Sequence, residues 1–294
     1  MSGFSIYPGT NLGPVHLVVS DLRVALSFYR DVLGLQPLDA QLDGAILGVG
    51  GDAPLVVLRE LKGAHHKPAR TTGLYHFAIL LPSRADLARE LRHLVESHHP
   101  LDGAADHLVS EALYLADPDG NGIEIYADRP RDQWTRTGSS IRMATDPLNV
   151  ESLMAELLPE GPAWSGLPEK TRMGHVHLHV ADLQRAVAFY HDLLGFDLVA
   201  RYGPQAAFLS AGGYHHHIGL NTWAGAGAPP PPAGSVGLDF FTIYLPGRAE
   251  LDQEARRIKD AGTTLEEKED GLMVRDPSGN AMLLAGEPAH VAGR

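Results

Sequence analysis

Leu12–Leu35, LGPVHLVVSDLRVALSFYRDVLGL, returns later in the chain as Met173–Phe196, MGHVHLHVADLQRAVAFYHDLLGF, with 13 of 24 positions identical. Agreement of that extent within one chain marks a tandem duplication. A second pair, Gly73–Leu94 (GLYHFAILLPSRADLARELRHL) and Gly237–Ile258 (GLDFFTIYLPGRAELDQEARRI), repeats at nearly the same offset. Each half therefore carries two segments of similar layout, and the chain reads as four modules.

The local pattern gives each module its shape. Val15, Leu17 and Val19 alternate with His16 and Val18, the period of a half-buried strand. Ser20 or Asp21 then offers an N-cap. Leu22, Ala25, Leu26, Phe28, Tyr29 and Leu33 follow a helical stripe, and Gly34 can close it. Further strands are expected at 41–50 and 53–61, and Glu111–Ala116 and Ile123–Ala127 flank the turn DPDGNG at Asp117–Gly122. The expected unit is βαβββ. The expected fold class is α+β, with four such modules. The expected division is modules 1 and 2 in 1–128, a linker over 129–172 broken by Pro130, Pro147, Pro159, Pro162 and Pro168, and modules 3 and 4 in 173–287. The proline run within 224–234 reads as a surface loop.

Composition removes several function classes. The 294 residues carry 24 basic and 36 acidic side chains, a formal charge of -12, which repels a phosphate backbone and argues against nucleic acid as partner. No secretory leader or membrane-length apolar stretch is visible, so a cytoplasmic protein without a membrane partner is expected. The chain has no cysteine, so disulfides, thiolate metal sites and thiol catalysis are excluded, while its 16 histidines supply other metal ligands. The acidic run EEKED at Glu266–Asp270 reads as a solvated face. Exposed strand edges and Trp134, Trp164 and Trp223 make a homo-oligomer an expectation, although a buried Trp is the more ordinary reading of each.

Tyr114 and Glu124 are equidistant from Asp119, so a hairpin turning there sets them opposite each other on one face. His175, His177 and His179 all share one face of their strand, and period two cannot choose among them.

The motifs FYRDVLGL, FYHDLLGF, DPDGNGIEIY and YHHHIGLNTW resemble those of the vicinal oxygen chelate superfamily, most closely its two-domain catechol 2,3-dioxygenases. The resemblance spans nearly the whole chain outside the linker. It implies that the four βαβββ modules pair into two curved, cup-like mixed β-sheets with helices outside, and that a catechol-type small molecule and O2 are the substrates at Fe(II), with Mn(II) compatible with the same ligands. His76 and Glu124 match family metal-ligand positions, and Tyr114 matches the tyrosine that hydrogen-bonds the bound diol. The third ligand is implied to be a first-strand histidine of the partner module. His16 and His177 occupy equivalent repeat positions for it. Pairing of modules 1 and 2 would select His16 but leave the acid–base position empty. Pairing of modules 2 and 3 would select His177 and bring His216 to that position, so His177 is the preferred expectation. His216 is expected to titrate near its reference value of about 6.5. In module 4 the ligand positions hold Phe240 and Leu283. A glyoxalase-like isomerase is the nearest enzymatic alternative, but it needs a further carboxylate ligand, and Glu60 falls out of register. A non-catalytic protein that binds an aromatic ligand is the other alternative, and it would not need the ligands that this chain keeps.

Overall fold

The computed structural model describes residues 4–51, 53–158 and 163–287. Pro159 and Pro162 of the linker lie outside these residues. All four modules are βαβββ. Module 1 runs through the strands Asn11–Val19, Gln36–Ala40, Gly44–Gly48 and Pro54–Glu60. Module 2 has strands Gly73–Leu81, Gly103–Asp106, Ser110–Ala116 and Gly122–Asp128. Module 3 has Arg172–His179, Asp197–Tyr202, Ala206–Ser210 and Ile218–Asn221, and module 4 has Gly237–Leu245, Glu266–Lys268, Gly271–Arg275 and Ala281–Gly286. The helix of each module follows its first strand.

The strand expected over 41–50 is displaced. Gln41 N donates to Gly44 O at 2.8 Å, so the chain turns there and pairs Gln36–Ala40 with Gly44–Gly48. Asp21 is the N-cap of the first helix, its carboxylate accepting from Val24 N at 2.9 Å. That helix, Leu22–Ser27, widens into a π-turn over Phe28–Val32, and module 3 repeats the device over Leu183–Val187 and Ala188–Leu193. Gly34 ends the turn at φ 73°, and a Cβ there would sit 2.4 Å from Gly166 Cα. Only glycine allows the linker so close.

Module pairing decides where a site can form. Modules 2 and 3 build a nine-stranded sheet, joined by antiparallel contact of their first strands and extended by the linker strand Asp146–Pro147. Modules 4 and 1 build the eight-stranded sheet in the same way. Each sheet thus takes one module from each half of the sequence. The halves are tied internally by a different contact: Tyr29 of module 1 donates to Asp117 of module 2 at 2.9 Å, and Tyr190 of module 3 donates to Asp276 of module 4 at 3.3 Å.

Alternation along the strands separates two faces. Phe77, Ile79, Val176, Leu178, Phe241 and Ile243 enter one continuous apolar core with the helical residues Leu87, Leu91 and Leu94. Burial of each such side chain contributes about 2 kcal/mol. The opposite face of the module 2–3 sheet carries His76, Glu124, His175 and His177. Trp134 is buried and Trp223 is 48% exposed. Glu266–Lys268 is an exposed strand, as the acidic run suggested. Among the described residues, no helix is long and apolar enough to cross a membrane.

Candidate metal centre

Glu124 lies on the last strand of module 2, paired with Tyr114 across the hairpin and beside Ala78 on the parallel first strand. Ala78 in turn lies opposite His175 of module 3. His76 is two residues before Ala78 and shares its face. These neighbours converge: His76 Nε2 lies 3.1 Å and His175 Nε2 3.2 Å from the same oxygen of Glu124. All three ligand atoms lie within 4.8 Å of one another, and all three residues are buried.

The protonation states suit a cation. Burial alone pushes the Glu124 carboxyl up, but the His175 and His76 imidazoles outweigh it and hold the group well below the usual carboxylate range. Burial lowers the His175 imidazole to about 4, which leaves a neutral ring with a free lone pair. Two imidazoles and one carboxylate match the facial donor set of non-haem Fe(II) or Mn(II).

The expected third histidine is not the one in this cluster. His177 is opposite His76, two residues beyond His175 on the same strand face, and it packs edge-on to His76 with ring centroids 5.0 Å apart. Its ring also faces Gly219, where a Cβ would lie 2.8 Å from the imidazole. A bulge between Met173 and His175 sets the register that brings His175, rather than His177, against Glu124. The sequence holds a signal for this. His76 stands seven residues before the helix N-cap Ser83, and His175 stands seven before the N-cap Asp182. Counting back from Asp21 in module 1 reaches Pro14, so alignment to His16 selects His177, which is not the histidine that joins this cluster. His16 itself lies in the other sheet, stacked on Phe240 at 3.9 Å.

A cavity of about 420 Å³ opens over the cluster, and His76, Glu124, His175, Tyr114 and His216 all line it. Tyr114 Oη is 2.6 Å from His107 Nε2, and His107 Nδ1 is 2.7 Å from Ala144 O. A carbonyl only accepts, so Nδ1 carries the ring proton and Tyr114 donates to Nε2. Its lone pairs are then left for the cavity. Burial and the Glu124 charge raise the Tyr114 phenol well above 10, so it keeps its proton. His107 was not singled out from the sequence, because its role depends on the linker residue Ala144 lying beside it.

His216 packs against His175 with ring centroids 4.0 Å apart. Its expected value near 6.5 does not hold: burial first, then the neighbouring His175 and His215, push it well below that. Glu60, the carboxylate an isomerase would need, lies in the other sheet, where it accepts from Leu22 N at 3.1 Å.

Comparison with known proteins agrees with this architecture. Residues 11–125 and 172–284 match the family described as Glyoxalase/Bleomycin resistance protein/Dioxygenase superfamily. A Bacillus subtilis (strain 168) protein named catechol-2,3-dioxygenase is 48% identical over 283 residues, covering 95% of this chain and 98% of that one. Among solved structures, one from Bacillus subtilis aligns at TM-score 0.68 and 13% identity over 97% of this chain and 87% of its own. Glyoxalase I from Zea mays aligns at TM-score 0.56 and 16% identity, over 95% and 92%. At those identities the two structures speak for the fold alone, while the family match covers most of the chain. The chain belongs to the glyoxalase/bleomycin resistance protein/dioxygenase superfamily.

Proposed function

We propose that this protein is an extradiol dioxygenase that opens a catechol-type ring with O2 at a non-haem Fe(II) held by His76, His175 and Glu124. The observation that carries the reading is the convergence of these three donors on the floor of a cavity whose wall also holds Tyr114 and His216. The 48% identity to a protein named catechol-2,3-dioxygenase supports it. Mn(II) fits the same donors.

When bound, the metal would supply the electron exchange with dioxygen that a catechol alone performs too slowly. The protein supplies the rest. Tyr114, its proton committed to His107, accepts a hydrogen bond from a diol hydroxyl and fixes the ring's orientation. His216, neutral at physiological pH, accepts the proton that the diol loses and later returns it. Tyr75, Phe208 and Trp223 add aromatic surface to the cavity wall. Asp102 and Glu124 are its acidic members, and neither Arg nor Lys is among its described lining residues. A catechol with an uncharged ring fits that wall better than one bearing a carboxylate.

The test is to load the purified protein with Fe(II) under anaerobic conditions, add catechol, and admit oxygen. Appearance of the yellow semialdehyde, with about one iron per chain, is the expected result. An iron-loaded protein that consumes no oxygen with catechol or its uncharged alkyl derivatives would overturn the reading.

A further inference from the structure

Behind His216 lies a chain of polar contacts that the metal site does not use. Asp128 ends the strand that carries Glu124, four residues further on and therefore on the same face. Its Oδ1 is 2.9 Å from His215 Nε2 and 3.1 Å from Tyr214 Oη. His215, fully buried, places its Nδ1 2.8 Å from His216 Nδ1.

The order of these contacts fixes where the protons sit. A carboxylate oxygen only accepts, so His215 Nε2 carries a proton. Where that is its one ring proton, His215 Nδ1 offers a lone pair, and the facing His216 Nδ1 donates to it. His216 is left with an unprotonated Nε2, and the residue lines the cavity. Two imidazoles facing through like nitrogens would otherwise be free to adopt either arrangement. Asp128 breaks that symmetry.

We propose that Asp128 and His215 are positioning residues that lock His216 in its Nδ1–H tautomer, so that Nε2 presents a lone pair to the substrate hydroxyl. The proton leaves the diol oxygen for His216 Nε2, and the O–H bonding pair remains on the oxygen. The resulting imidazolium keeps its Nδ1–H bond to His215, whose own Nε2–H points to the Asp128 anion. Tyr214 and Tyr126, with hydroxyls 2.7 Å apart, hold the carboxylate side of the chain in place. Gly174 makes this possible, since a Cβ there would lie 1.9 Å from Tyr126 Oη. The inference rests on the reading of His216 as proton acceptor, but the tautomer itself is measurable without turnover.

Two measurements test it. In full-length protein labelled with 15N-histidine and loaded with diamagnetic Zn(II), ring-nitrogen spectra are expected to place the His216 proton on Nδ1, and a proton on Nε2 would overturn the proposal. In Fe(II)-loaded protein with catechol, Asp128→Asn is expected to lower kcat about 100-fold, because an amide can turn its NH2 toward His215 and reverse both tautomers. KM and iron content should change less than threefold. The same substitution in a His216→Ala background should cost nothing further, since both act through one group. Independent, multiplying losses would show a merely structural role and overturn the proposal, as would wild-type kcat in Asp128→Asn. Should Asp128→Asn fail to fold, His215→Gln is run through the same cycle with the same outcomes. A wild type inactive on catechol would sink the proposed function, yet the Zn(II) spectra would still decide the tautomer.

Discussion

The two sheets are built to one plan and filled with different chemistry. In the module 2–3 sheet, the positions seven residues before the helix N-caps hold His76 and His175, and in the module 4–1 sheet they hold Phe240 and Pro14. Glu124 pairs with Tyr114, while at the matching register Leu283 pairs with Met273. What is a buried polar cluster in one sheet is a small apolar cluster of Met273, Ala281, Leu283 and Phe240 in the other. His16 survives there as a stacked ring on Phe240, pushed to about 4 by burial. Topology thus creates two candidate floors, and only the side chains make one of them a site.

The largest effect that would break this contrast is on metal retention. His175→Ala should lose iron and about 1,000-fold or more in activity, a larger loss than the 10–100-fold typical of residues that only support a ligand. His177→Ala and His16→Ala should retain iron, measured by metal analysis after gel filtration. Iron lost from His177→Ala and kept by His175→Ala would restore the reading from repeat alignment.

Exchange of the paired residues gives the next effect. Leu283→Glu buries a carboxylate among apolar neighbours and should cost about 3 kcal/mol, a fall in Tm of about 6 °C. Glu124→Leu should abolish iron binding while the metal-free protein melts at or above the wild-type temperature, as expected where function is held at the expense of stability. A metal-free Glu124→Leu protein that melts well below wild type would show that the carboxylate also holds the fold together.

The smallest effect lies on the outer helices. Glu90 and Glu254 occupy the same place in the helices Arg84–Glu96 and Arg248–Asp260, and each is 1% exposed. Arg257 pairs with Glu254 at 2.6 Å, whereas Glu90 accepts from Trp164 Nε1 at 2.7 Å. Burial pushes Glu90 to about 8, with the Trp164 bond opposing it only in part. A folded-state value above the unfolded one means that the native protein binds the extra proton. Its stabilising contribution is full below about 4.5 and falls as pH rises toward 8. Glu90→Gln should therefore flatten the decline in Tm between pH 5 and 8. Glu254→Gln should flatten it less, because Arg257 counters the rise from burial. Equal slopes in all three proteins would remove the distinction between the two helices.

Much of this was legible because it is periodic or local. The duplication, the βαβββ unit, a first-helix cap at Ser20 or Asp21 and the hairpin that pairs Tyr114 with Glu124 all follow from spacing alone. The pairing of modules 2 and 3 was reached by asking which arrangement fills every functional position. His175 was missed because alignment was made to module 1, whose matching residue is Pro14, and because a bulge in the strand is invisible to period two. His107, Asp128 and His215 were missed for another reason. Each is held by a partner that another module or the linker brings to it, His107 by Ala144 and Asp128 and His215 by each other, and no short window of sequence contains both partners.

The exchange of modules between halves also bears on how the chain emerges from the ribosome. The first strand of module 2, Gly73–Leu81, is an apolar edge until its partner Arg172–His179 is made about 100 residues later. At about 5–20 residues per second, that edge waits on the order of ten seconds beside the translation machinery. An unpaired strand reading GLYHFAILL is an aggregation hazard during such an interval. Both partners of the Tyr29–Asp117 contact are synthesised before Arg172, so that contact is available to clasp modules 1 and 2 while the nascent chain lengthens. Slowing synthesis across the linker codons would lengthen that vulnerable interval, whereas a chaperone that shields the edge would shorten its consequences.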